Sequence, residues 1–118
     1  MRTTLMFILG ILFASTAMAM SASPLMGQAG VNKSAAMHNQ AGIQALNSGK
    51  TADAVNHFRE AIKIAPDFAR AHFNLGLALH DEKKQAEAAT EFKKAWDLDP
   101  GDTQIVDSGI LNKYVSNP

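Results

Sequence analysis

Cysteine is entirely missing from this sequence, which removes disulfides, thiolate metal centres, thiol nucleophiles and lipid attachment to a cysteine together. An excess of one charge is missing as well. Eleven Lys plus Arg stand against eleven Asp plus Glu, so the basic footprint of a nucleic-acid binder is absent. No nucleophile elbow, phosphate loop or zinc-protease helix occurs anywhere, and the chain is therefore expected to be no enzyme and to carry no cofactor. A long apolar run is lacking too. The most hydrophobic stretch, residues 5–14, falls well short of the roughly 20 residues a spanning helix needs.

What remains is one small domain's worth of material: 118 residues, 47% of them hydrophobic. Residues 1–19 have a charged start at Arg2, the apolar centre and the small-residue triplet Ala17-Met18-Ala19. This is the layout of a secretory signal peptide, and cleavage is expected after Ala19, delivering the chain to a bacterial periplasm; an uncleaved membrane anchor is the alternative. Without Arg2 the chain keeps ten basic and eleven acidic residues. Residues 20–34 are rich in Ser, Gly, Pro and Ala with no periodicity and read as a flexible leader, although Leu25, Met26 and Val31 offer apolar groups that can dock on the first helix. The triplet Asn32-Lys33-Ser34 fits a glycosylation acceptor, which has meaning only in a eukaryotic secretory route.

From Ala35 onward the chain repeats itself. Shifting residues 35–68 by 34 positions onto residues 69–102 superimposes nine identities, at Ala35, His38, Gly42, Lys50, Ala52, Ala54, Phe58, Ala61 and Pro66. Each unit divides into two helices around a polar break. The first unit predicts helices over 35–47, with Ser34 as cap, and from Thr51, itself a capping residue, to Ala65, where Ala54, Val55, Phe58, Ala61, Ile62 and Ala65 recur at three- and four-residue steps until Pro66 stops them. The second predicts helices over 69–80 and 85–97. Gly42 and Gly76 are read as points of close helix approach with Ala54 and Ala88 across the contact, and Phe58 and Phe92 as fillers toward the next unit. Residues 103–114 supply Ile105, Val106, Ile110, Leu111 and Tyr114 for one helix that covers the open end of the stack, followed by a frayed tail to 118.

A 34-residue period of helix pairs with Gly, Ala, Phe, Ala and Pro at these offsets resembles the tetratricopeptide repeat. The resemblance implies an all-α fold of two right-handed helix-turn-helix units, 35–68 and 69–102, with a capping helix. His38 and His72 stand where the family has Trp, and Ala41 and Ala45 are smaller than its Leu and Tyr. It also implies a concave face lined by the first helix of each unit. By position that face holds Ala36, Asn39, Gln40, Ile43 and Asn47, then Arg70, Phe73, Asn74, Leu77 and Asp81. Some family members grip a terminal carboxylate with a clamp of Lys, Asn, Asn, Lys and Arg. Only Asn74 keeps that pattern here, with Asn39, Ile43, Gln104 and Ser108 at the other clamp positions, so that clamp is not expected.

The expected function is capture of another protein or peptide segment on the concave face. Apolar side chains would meet Ile43, Phe73 and Leu77, and the amides and Arg70 would hold main chain or carboxylate. Self-assembly into a homo-oligomer or scaffold is the first alternative. A metal or cofactor carrier using His38 and His72 is a distant one, since neither has a second ligand at i+4 and recurrence at one repeat position favours packing. His57 and His80 read as isolated surface histidines, the Lys and Glu runs of 82–94 as a solvated face, and Trp96 as core or interface filler.

Overall fold

The computed structural model describes residues 24–26 and 30–115; the expected signal peptide, residues 20–23 and 27–29 of the leader and the last three residues lie outside the described residues. Among the described residues there is no strand, and six helices follow one another: α1 (Lys33–Asn47), α2 (Thr51–Ile64), α3 (Ala69–Asp81), α4 (Gln85–Leu98), α5 (Thr103–Val106) and α6 (Gly109–Val115). Helices α1 and α2 pack as one hairpin, α3 and α4 as a second, and α2 lies against α3 to join them. Helix α3 is the centre of the stack, with ten of its 13 residues buried. No described helix is long and apolar enough to cross a membrane.

Both hairpins turn by the same device. In the first, Lys50 N donates to Ala45 O and Gly49 N to Leu46 O; in the second, Lys84 N donates to Leu79 O and Lys83 N to His80 O. These are paired helix-terminating bonds that need a left-handed residue at the next-to-last position. Gly49 supplies it at φ 75°, and the equivalent Lys83 adopts φ 65° against the steric preference of a residue with a Cβ. With three residues spent on this turn, Lys50 becomes the residue before α2, and Thr51 lies inside the helix instead of capping it as expected. The cap of α1 also differs from expectation. Helix α1 begins two residues early, and Asn32, not Ser34, is the cap, its Oδ1 accepting from Ser34 N at 2.8 Å.

The glycines act against rings. A Cβ on Gly42 would lie 2.5 Å from the Phe58 ring and one on Gly76 would lie 2.6 Å from the Phe92 ring. The close approach expected across Ala54 and Ala88 is thus set by the phenylalanines, which fill the gap within their own unit. Phe58 and Phe92 are fully buried, as are Phe68 and Phe73, and the Phe73 and Phe92 rings tilt against each other 5.5 Å apart.

The expected single capping helix is two short ones. Asp102 caps α5 through Gln104 N, and the chain then breaks where Ser108 Oγ turns back to Ile105 O at 2.7 Å and Gly109 follows. The break lets Ile105 and Leu111 both reach the main core with no exposure, and α6 packs on α4 with Tyr114 against Phe92.

Gly76→Ala gains helix propensity of roughly 1 kcal/mol but drives a methyl into a ring with nowhere to go. A net loss of about 1 to 2 kcal/mol is expected from overpacking, read as a lowered midpoint in thermal circular dichroism. Lys83→Gly removes the left-handed penalty and is expected to raise the midpoint, by up to about 1 kcal/mol of stability, whereas Gly49→Ala at the equivalent position lowers it.

Candidate functional site

Helices α1 and α3 run side by side, and the position 35 residues beyond Asn39 is Asn74. Their side chains meet: Asn74 Nδ2 donates to Asn39 Oδ1 at 2.8 Å, and both residues are essentially without exposure. Two buried carboxamides carry more donors and acceptors than one mutual bond can satisfy, and a buried amide left unpaired costs about 1 to 3 kcal/mol. The remainder is satisfied by the leader. Leu25 N donates to Asn74 Oδ1 at 2.6 Å, and Leu25 O accepts from Asn74 Nδ2 at 2.8 Å and from Asn39 Nδ2 at 3.0 Å. One residue further, Met26 O accepts from Arg70 at 2.8 Å.

The leader segment 24–26, read from the sequence as flexible but able to dock through Leu25, therefore lies against α1 and α3 without helical structure. It is gripped by its main chain. The Leu25 side chain packs on the main apolar cluster, which includes Ile43, Phe73 and Leu77, while Met26 points its side chain outward at 59% exposure. Val31 docks elsewhere, on the smaller cluster of Ala35, Ala61, Ala65, Phe68 and Ala71.

Arg70 is held in place from the other side. Its Nε donates to Asp102 Oδ2 at 2.7 Å, and Asp102, whose side chain is only 7% exposed, also caps α5. The guanidinium charge is thereby compensated inside the protein, and the face around Leu25 is close to neutral. Of the expected site residues, the fold gathers Asn39, Arg70 and Asn74 on one segment of main chain and Ile43, Phe73 and Leu77 into the core beside it. Gln40 and Ala36 are half-buried along α1, and Asn47 and Asp81 are exposed at the ends of their helices, away from the amide pair. Asp102 and Leu25 were not among the expected residues. Nothing local in the sequence marks a contact spanning 49 positions, although Asp102 lies at the unit's end, 32 residues from Arg70.

The histidines separate into different roles. His72 is buried, with Nδ1 2.6 Å from Glu91 Oε2 and Nε2 2.8 Å from Pro66 O. Each ring nitrogen thus faces an oxygen, one from a side-chain carboxyl and one from a main-chain carbonyl. The equivalent pair in the first unit is His38 and His57, with ring centroids 5.9 Å apart, so the fold places His38 beside His57 and not beside His72. His80, expected at the surface, is half-buried with Nδ1 2.5 Å from the Tyr114 hydroxyl, whose pKa burial raises above 10.0. Among the described residues no three side chains of metal-binding type converge. The outer face carries short ion pairs such as Lys93 to Asp97 at 2.6 Å, and Trp96 is half-buried against the main cluster.

Burial by itself would raise the Glu91 carboxyl, but its hydrogen bond and charge contact with His72, helped by Lys94, leave it lowered from 4.5. A carboxylate with a depressed native pKa stabilises the fold above its unfolded value, and that contribution disappears as pH falls through the native one. Stability of the wild-type chain should therefore decline more steeply below about pH 4.5 than that of Glu91→Gln. At pH 7 the variant should be weaker by about 2 kcal/mol, the scale of a hydrogen bond to a charged group; parallel denaturant titrations across pH measure both.

With the geometry in place, comparison with known proteins adds the lineage. The sequence profile described as tetratricopeptide repeat matches residues 39–103. Protein O-mannosyl-transferase Tmtc3 of Drosophila melanogaster is 32% identical over 68 residues, 58% of this chain and 7% of that protein. Cytochrome c-type biogenesis protein CycH of Rhizobium meliloti is 33% identical over 66 residues, 56% of this chain and 17% of that protein. The matched stretch is thus a small part of either relative. No solved structure matches the chain.

Proposed function

The chain belongs to the tetratricopeptide repeat family, whose repeats serve protein–protein interaction, and from that premise we propose that it is an exported, non-catalytic binding protein that holds an extended segment of a partner on the face of α1 and α3. The observation that carries this reading is the grip on Leu25 and Met26. Asn39, Asn74 and Arg70 together engage one N–H and two carbonyl groups of an extended chain, which is how a groove binds peptide irrespective of most side chains. Export rests on the signal-like residues 1–19.

The chemistry of the face favours an internal segment over a chain terminus. A terminal carboxylate placed at Arg70 would lie beside Asp102, which already neutralises the guanidinium. Self-assembly through the stack ends has weaker support, because Ile105 and Leu111 cover the α4 end.

The test is selection of extended decapeptides from a random library against the chain from residue 20 onward, followed by titration of the selected peptides. In a Leu25→Asp background, where the leader no longer competes for the face, Asn74→Ala is expected to weaken them at least tenfold, the consequence of unpaired amides in both partners, while the outward Lys93→Ala leaves binding unchanged. Selected peptides indifferent to Asn74→Ala would sink the reading.

A further inference from the structure

The leader is the only peptide seen on this face among the described residues, and its mode of attachment defines what fits there. Three features of residues 24–26 are used and others are not. The N–H and carbonyl of Leu25 are both engaged by the amide pair, the Leu25 side chain packs on the main cluster, and the Met26 carbonyl meets Arg70. The Met26 side chain is outside the contact, at 59% exposure. Pro24, without an N–H, needs no acceptor where it enters, and its fixed φ suits an extended approach.

We infer that the partner is an uncharged, extended, mid-chain segment binding in the register of residues 24–26, with an apolar side chain other than proline at the Leu25 position and no demand on the side chain at the Met26 position. The leader is then a built-in competitor that the partner must displace. This rests on the groove reading above and adds to it the chemistry of the ligand and its regulation. Six residues separate Met26 from the first residue of α1, and a connection of that length holds its end at an effective concentration of about 1 mM. With an intrinsic leader Kd of about 0.1 mM for the open face, any free segment would bind the self-occupied chain about tenfold more weakly.

Two probes read this directly, both on the chain from residue 20 onward. The first is a synthetic peptide of residues 20–30, titrated by fluorescence anisotropy against the wild-type chain and against Leu25→Asp, whose leader cannot bury its side chain. The second is amide hydrogen exchange at Leu25 in the wild type and in Asn74→Ala. We expect the peptide to bind Leu25→Asp about tenfold more tightly than wild type. Placing proline or aspartate at its Leu25 position should abolish binding, and serine at its Met26 position should leave it intact. The Leu25 amide should be protected from exchange in the wild type and unprotected in Asn74→Ala.

Equal affinity for both chains, with an unprotected Leu25 amide, overturns the competitor while leaving the groove reading standing. If the leader peptide binds neither chain while library-selected peptides bind Leu25→Asp, the proposed register and chemistry are wrong and the groove survives. Failure of both peptide sets on a folded Leu25→Asp chain removes the groove reading with the inference. Should Leu25→Asp lose its helicity, the exchange comparison and the proline-bearing peptide still decide the matter.

Discussion

Everything on the concave face depends on a ring pressed against a helix that has no side chain at the point of contact. Phe58 meets Gly42 and Phe92 meets Gly76 at distances that leave no room for a Cβ, which fixes how near the two helices of each hairpin can lie. Once those spacings are set, α2 can seat against α3, and α1 comes to run beside α3 at a separation that two carboxamides bridge. A larger residue at either glycine would act at a distance, since the helix it displaces is the one that carries the amides. The packing repeat and the face that carries the amide pair are therefore a single mechanical system.

The amide pair illustrates why a neutral buried group suits this position. A charge there would require a fixed counter-charge or a large desolvation cost. A carboxamide is both donor and acceptor, can pair with its neighbour, and still presents the complement of a peptide group. Arg70 follows a different logic. It is kept near the surface, clamped by Asp102, and offers a donor whose charge is already answered within the fold.

The helical repeat was legible because packing residues recur with the period of the structure. Gly, Phe, Ala and Pro at 34-residue intervals each report a steric fact that the sequence alone exposes. Expectations failed where one local choice competed with another. Thr51 is a good capping residue, but the left-handed turn through Gly49 consumes the residue in front of it; Ser34 yielded to Asn32, which caps a helix that starts two residues earlier. The single capping helix broke because Ser108 and Gly109 favour a turn and because two short pieces bury both Ile105 and Leu111. At the site, Asn39, Arg70 and Asn74 were readable from repeat position. The leader's place was not, since a serine- and glycine-rich segment has no periodicity from which a contact 49 residues away could be inferred.

The contact between Asn39 and Asn74 crosses the boundary between units, and these residues do not occupy equivalent positions within them: Asn39 aligns with Phe73, and Asn74 with Gln40. Arrays of this type ordinarily grow and shrink by whole repeats, because each unit touches only its neighbours. Here the junction is a unique seam. A unit inserted after Phe68 would move the two asparagines to helices that no longer touch, and a unit removed would delete one of them. The number of units is thus tied to the amide pair, and duplication, the easiest route by which such a chain changes size, would break that pair at this seam.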